Sequence, residues 1–160
     1  MLTIQILAVG KLKEAYLRDA CAEYQKRLTP FAKLEVIELS EYRLSADPSE
    51  AEIAAGLAAE GEAMFGRLRR GNYMIPMCIE GKELSSTSFA ELIDRVCLDG
   101  KSGISFCIGG SYGLSDAVKQ SGDFSLSMSK MTFPHQLARV LLLEQLYRAC
   151  MIRANGKYHK

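Results

Sequence analysis

An α/β fold with a mostly parallel sheet is what this sequence predicts, on three observations. Short apolar runs with strand character alternate with longer segments of helical periodicity. No linker long enough to divide the chain separates them, and glycines close two of the apolar runs, Gly10 as a strand end and Gly109-Gly110 where a ligand-facing turn is expected. The 160 residues fit a single domain, 1–160. A domain of that length buries roughly 70% of its unfolded surface, enough to hold a core without disulfide or metal.

Each element can be argued from its residues. Leu2 to Val9 is a buried strand, and Leu17, Cys21, Tyr24 and Leu28 then recur at helical steps until Thr29-Pro30 stops them. Leu34 to Leu39 is the second strand, and Ser40 to Ala46 a polar loop. Asp47-Pro48-Ser49-Glu50 reads as a helix start with Asp47 as the cap, Pro48 in the first turn, and Ile53, Leu57, Met64 and Leu68 on one face. Gly71-Asn72 ends it. Tyr73 to Ile79 is the third strand, Gly81-Lys82 a turn, and the Ser85–Ser88 cluster opens a helix that buries Phe89, Leu92, Ile93 and Val96. Ile104 to Ile108 is the fourth strand, and a short helix over Asp116–Gln120 leads to a fifth at Phe124–Ser127. After the loop Met128–Pro134 comes the longest helix, His135 to Arg153. It is apolar almost all round, so it is either a central core helix or one that also meets a partner chain, most simply a second copy. Leu142 and Leu146 are read as outward-facing.

Net charge is only +1, but its distribution is uneven. Residues 1–129 carry 14 Lys/Arg against 18 Asp/Glu, whereas residues 130–160 carry six against the single Glu144. Either this end meets an anion or it is a solvated basic terminus. The five cysteines are dispersed with no C-x-x-C pair, which argues against a metal site and a disulfide framework and for reduced core thiols. The opening apolar run is too short for a membrane span and lacks a basic leader, so a cytoplasmic protein is expected.

Four stretches carry candidate chemistry. Gly109-Gly110-Ser111-Tyr112-Gly113 follows a strand, where glycines let a backbone approach a ligand; the other reading is a simple turn. It lacks dinucleotide-fingerprint spacing. Gly100-Lys101-Ser102 resembles the end of a phosphate loop, but Arg95 stands where that motif needs glycine. Ser125 to His135 alternates hydroxyl and apolar residues. Its main chain can meet the edge of a purine while Met128, Met131 and Phe133 cover the faces; a plain strand-to-helix connection is the other reading. On the last helix, His135 and Arg139 share one side, and Glu144 and Arg148 pair on roughly the opposite side. The tail adds Arg153, Lys157, Tyr158, His159 and Lys160, a composition for phosphate, stacking and proton transfer, unless it is simply disordered.

Taken together, Phe106 to Leu114, Leu126 to His135, Arg139 to Ala149, the terminal Tyr158-His159, and the opening Ile6–Lys13 and Glu23–Leu28 resemble the bacterial RlmH family over essentially the whole chain. The resemblance implies a SPOUT α/β-knot domain with a C-terminal trefoil knot, working as a homodimer. It implies S-adenosylmethionine as cofactor and methylation of N3 of a pseudouridine in 23S ribosomal RNA on assembled ribosomes. The cofactor would be held by Met77, Gly109, Met128, Ser129, Lys130, Met131, Thr132 and Phe133, with a side chain at position 109 intruding on it. His135, Arg139, Tyr158 and His159 match catalytic positions. Arg139 is expected to stabilise charge on the accepting ring, and Arg153, Lys157 and Lys160 to contact RNA. Other readings are a SPOUT enzyme acting on transfer RNA, a different nucleotide enzyme, and a ribosome-binding factor without catalysis.

Overall fold

Strand and helix alternate from one end of the chain to the other. A computed structural model describes residues 1–160. Its elements are β1 (Leu2–Val9), α1 (Ala15–Leu28), β2 (Ala32–Leu39), α2 (Glu50–Arg67), β3 (Tyr73–Glu83), α3 (Ser86–Leu98), β4 (Ile104–Ile108), α4 (Asp116–Ser121), β5 (Leu126–Ser127) and α5 (His135–Arg153). The five strands lie in the order β2-β1-β4-β3-β5, every neighbouring pair parallel.

The two-residue period of the strands sorts the core into two layers. Ile4, Ile6 and Ala8 join Phe106 and Ile108 in a large cluster completed by Cys21 and Leu28 of α1, Phe89 and Ile93 of α3, and Leu142, Leu143 and Leu146 of α5. Leu7, Val9 and Cys107 point the other way, onto Met64 of α2 and Val118 of α4. Helices therefore cover both faces, as buried parallel strands require. β5 lies outside β3, yet α5 returns to pack on α1 and α3. That path is consistent with a C-terminal knot.

Several local expectations need correction. The α2 cap is Ser49, not Asp47: its Oγ accepts from Glu52 N at 3.2 Å and donates to the Glu52 carboxylate at 3.4 Å. Gly81-Lys82 does not turn but continues β3. A Cβ at Gly81 would stand 2.8 Å from the Ser125 and Leu126 backbone, so glycine is what admits β5, and Lys82 N donates to Ser125 O at 2.9 Å. β5 is shorter than expected because the Asp123 and Phe124 amides turn to the Met74 carbonyl instead. Leu142 and Leu146 are fully buried, not outward-facing. Each contributes roughly 2 kcal/mol of burial to the main core. The open stripe of α5 runs instead through Leu137, Leu141, Glu144 and Arg148. Cys21, Cys107 and Cys150 are buried free thiols, whereas Cys97 is exposed.

Candidate active site

The carboxyl ends of β3 and β4, where ligands gather in an open parallel sheet, frame a cavity of about 730 Å³. Of the residues expected at a cofactor, Met77, Gly109, Met128, Ser129, Met131, Thr132 and Phe133 all line it, as does His135; Lys130 does not. The walls mix apolar side chains with polar ones such as Glu80, Lys119 and Thr132, and Ser127 and Ser129 hold the 128–133 loop in shape. Ser127 Oγ donates to Ser129 O at 3.0 Å, and Ser129 Oγ accepts from Met131 N at 3.0 Å. A volume of this order suits a nucleoside-sized ligand.

Gly109 matters for a different reason from the one expected. A Cβ there would collide with the backbone of Gly113, not project into the cavity. Gly113 has φ +81° and donates its N–H to Gly110 O at 3.0 Å, so residues 109–113 form a tight loop that shapes the cavity floor. At the cavity's edge Lys119 of α4 pairs with Glu80 of β3 at 2.5 Å. Neither residue was singled out by its sequence setting.

His135 is half-buried at the first position of α5, and burial lowers its pKa, opposed by Glu41. Burial therefore favours the neutral ring, the form that can accept a proton. Arg139, one turn on, is 2% exposed and does not line the cavity. Its guanidinium donates to Glu38 at 2.7 Å and to Gly10 O at 3.0 Å, while its Nε is buried without a partner. Arg139 thus ties α5 to the ends of β1 and β2. Glu38, at the carboxyl end of β2, was missed in the sequence, where it is one of three charges on that strand beside Lys33 and Glu35.

The tail is docked, not loose, but away from the cavity. Tyr158 lies edge-on to Tyr147 with ring centroids 4.8 Å apart, and Arg148 sits 4.7 Å over its ring. Its hydroxyl donates to Glu144 at 3.2 Å, and His159 Nδ1 is 3.3 Å from Arg148. Glu144 and Arg148 form the expected ion pair at 2.5 Å. The four candidate catalytic residues are therefore divided within one chain: His135 at the cavity, Arg139 buried one turn behind it, and Tyr158 and His159 across α5. Arg153 is held by Asp94 at 2.5 Å. With Arg139 and Arg148 also paired, the basic end reduces to Lys130, Lys157 and Lys160 as cations without a carboxylate partner.

Comparison with known proteins gives the same picture at family scale. The family model described as "Predicted SPOUT methyltransferase" matches residues 2–159. A "Ribosomal RNA large subunit methyltransferase H" from Streptococcus agalactiae is 46% identical over 157 residues, covering 98% of this chain and 99% of the relative. The protein of that name from Pelotomaculum thermopropionicum is 46% identical over 159 residues, 99% of each. Among solved structures, a probable methylase family protein from Haemophilus influenzae superposes with TM-score 0.52 at 15% identity, over 99% of this chain and 70% of that one. That likeness concerns the fold.

Proposed function

This chain belongs to the SPOUT methyltransferase family, and on that premise we propose that it methylates large-subunit ribosomal RNA with S-adenosylmethionine. The finer reading is transfer to N3 of a pseudouridine in 23S RNA of assembled ribosomes, which places its work in the cytoplasm. No helix is long and apolar enough to cross a membrane. The observation that carries the proposal is the cavity at the strand ends, walled by the 128–133 loop and bordered by His135.

The residues present fit the cofactor. Met77, Met128 and Phe133 give apolar cover, and the glycine loop and the 128–133 backbone offer main-chain groups at the rim. When bound, S-adenosylmethionine supplies a methyl group on a positively charged sulfur. The chain's part is to hold the accepting nitrogen in line and exclude water. Neutral His135 takes the imide proton as general base. Arg139, committed to Glu38 and Gly10, fixes the α5 terminus that carries His135; its burial does not support direct charge stabilisation on the substrate.

Tyr158 and His159 act in this reading from a second copy of the chain, across the α5 stripe of Leu137, Leu141, Glu144 and Arg148. A homodimer built on that stripe would set one chain's tail beside the other's cavity. The test is incubation of labelled S-adenosylmethionine with ribosomes from a strain lacking the gene, followed by mapping of the labelled nucleotide. Label at N3 of a 23S pseudouridine is expected. Label only in transfer RNA, or ribosome binding without label, would replace this reading.

A further inference from the structure

The function just proposed needs a base whose protonated form is stabilised at the moment it forms, and a second residue stands ready to do so. Glu41 lies in the loop after β2, next to the turn at Gly10, whose N–H donates to Leu39 O at 2.7 Å. Gly10 has φ +88°, and its bare Cα leaves a gap between two side chains. A methyl group there would be 3.8 Å from His135 Nε2 and 4.0 Å from Glu41 Oε2. Ser111 of the glycine loop, which lines the cavity, donates to Glu41 Oε1 at 3.4 Å and so ties the carboxylate to that loop. Neither Glu41 nor Ser111 is otherwise used by the fold's core.

We propose that Glu41 is a positioning residue for His135, its carboxylate stabilising the imidazolium formed when His135 takes the proton of the methyl-accepting ring nitrogen. In that step the N–H bond breaks, the proton passes to the imidazole, and the electron pair stays on the substrate nitrogen, ready for the methyl group. The charges facing His135 favour this assignment. Arg139 on α5 and Lys13 in the loop before α1 both disfavour the imidazolium, and Glu41 is the acid that opposes them. Arg139 is already paired with Glu38. Glu60 of α2, the other acid near Glu41, is occupied by the Tyr42 N–H at 2.9 Å.

The sign of the pH effect follows. His135 works only when neutral, so the rate falls as pH drops through its pKa, and Glu41 holds that pKa up. Glu41→Gln should move the acid limb of the single-turnover rate to lower pH by about half a unit, as a partly exposed ion pair supports. It should also lower the plateau by up to about threefold, the rate equivalent of the same half-unit loss in the base's strength. The deficit should shrink at alkaline pH, where the imide ionises unaided. Glu41→Asp keeps the charge and should keep the limb near its wild-type position. The measurement is methyl transfer to ribosomes at saturating S-adenosylmethionine across the pH range, with cofactor affinity checked by calorimetry. An unshifted limb in Glu41→Gln, or a deficit uniform at every pH, overturns the role of Glu41 while leaving the methyltransferase intact. No transfer by the wild type at any pH overturns the enzymatic reading itself, and this proposal with it.

Discussion

The two ends of α5 solve different problems. At its first turn, His135 borders a cavity that one chain builds from its own strand ends and loops, with Arg139 buried behind it on Glu38 and Gly10. Near its last turns, Glu144, Arg148, Tyr158 and His159 satisfy one another on the opposite side of the helix, with no cavity of comparable kind between them. His135 and Arg148 are 13 residues apart, about 20 Å of helix. No rotation of side chains brings the tail to the cavity of its own chain. The cavity end reads as a finished binding site, whereas the tail end is a self-satisfied cluster that only the proposed dimer would bring to a cavity.

The strongest way to break the cavity end is Gly109→Val. The added side chain meets the Gly113 backbone, which cannot move without undoing the 109–113 loop. Overpacking of this kind is expected to cost about 3 kcal/mol, read as a lower denaturation midpoint, together with loss of measurable S-adenosylmethionine binding by calorimetry. The tail cluster lies elsewhere and should keep its contacts. A variant of wild-type stability and wild-type cofactor affinity would show that this loop does not shape the site.

The next prediction separates the two ends. Deleting Tyr158 to Lys160 removes no cavity-lining residue, so cofactor affinity should hold while methylation of ribosomes falls about tenfold or more. Mixing that protein with His135→Gln then asks whether the tail works across subunits. If it does, each mixed dimer has one cavity with an intact His135 facing an intact tail, and activity returns to about a quarter of wild type under random pairing. If the tail serves its own chain, mixing restores nothing.

The cavity end was largely legible in the sequence, and the tail end only in part. Glycines after a strand and a hydroxyl–apolar alternation before a long helix are local signals, and seven of the eight residues expected at the cofactor line the cavity. Arg139 was placed on the correct helix face beside His135, but its burial was invisible, because that depends on Glu38 of β2, 101 residues away. Glu41 escaped for the same reason: in sequence it is one acid in a polar loop, and only the β1–β2 register brings it beside Gly10. The shape of α5 misled in detail. Its all-round apolarity gave no sign of which leucines face the core, and Leu142 and Leu146 proved to be inside.

The smallest expected effect concerns the basic end itself. Arg153, Lys157 and Lys160 look equivalent as tail cations, yet the structure distinguishes them. Arg153 is already neutralised by Asp94 across α3, with its guanidinium only partly open, whereas Lys157 and Lys160 are exposed without a carboxylate partner. A phosphate contact releases counterions only if the cation is free to replace them. Each lysine changed to alanine should therefore flatten the salt dependence of ribosome binding, reducing the slope of log K against log salt by about 0.7 to 0.9. Arg153→Gln should leave the slope nearly unchanged and act instead through the lost ion pair with α3, a surface contact worth under about 1 kcal/mol. Equal slope changes at all three positions would mean that Asp94 releases Arg153 when RNA is bound, and that the tail end rearranges on its substrate where the cavity end does not.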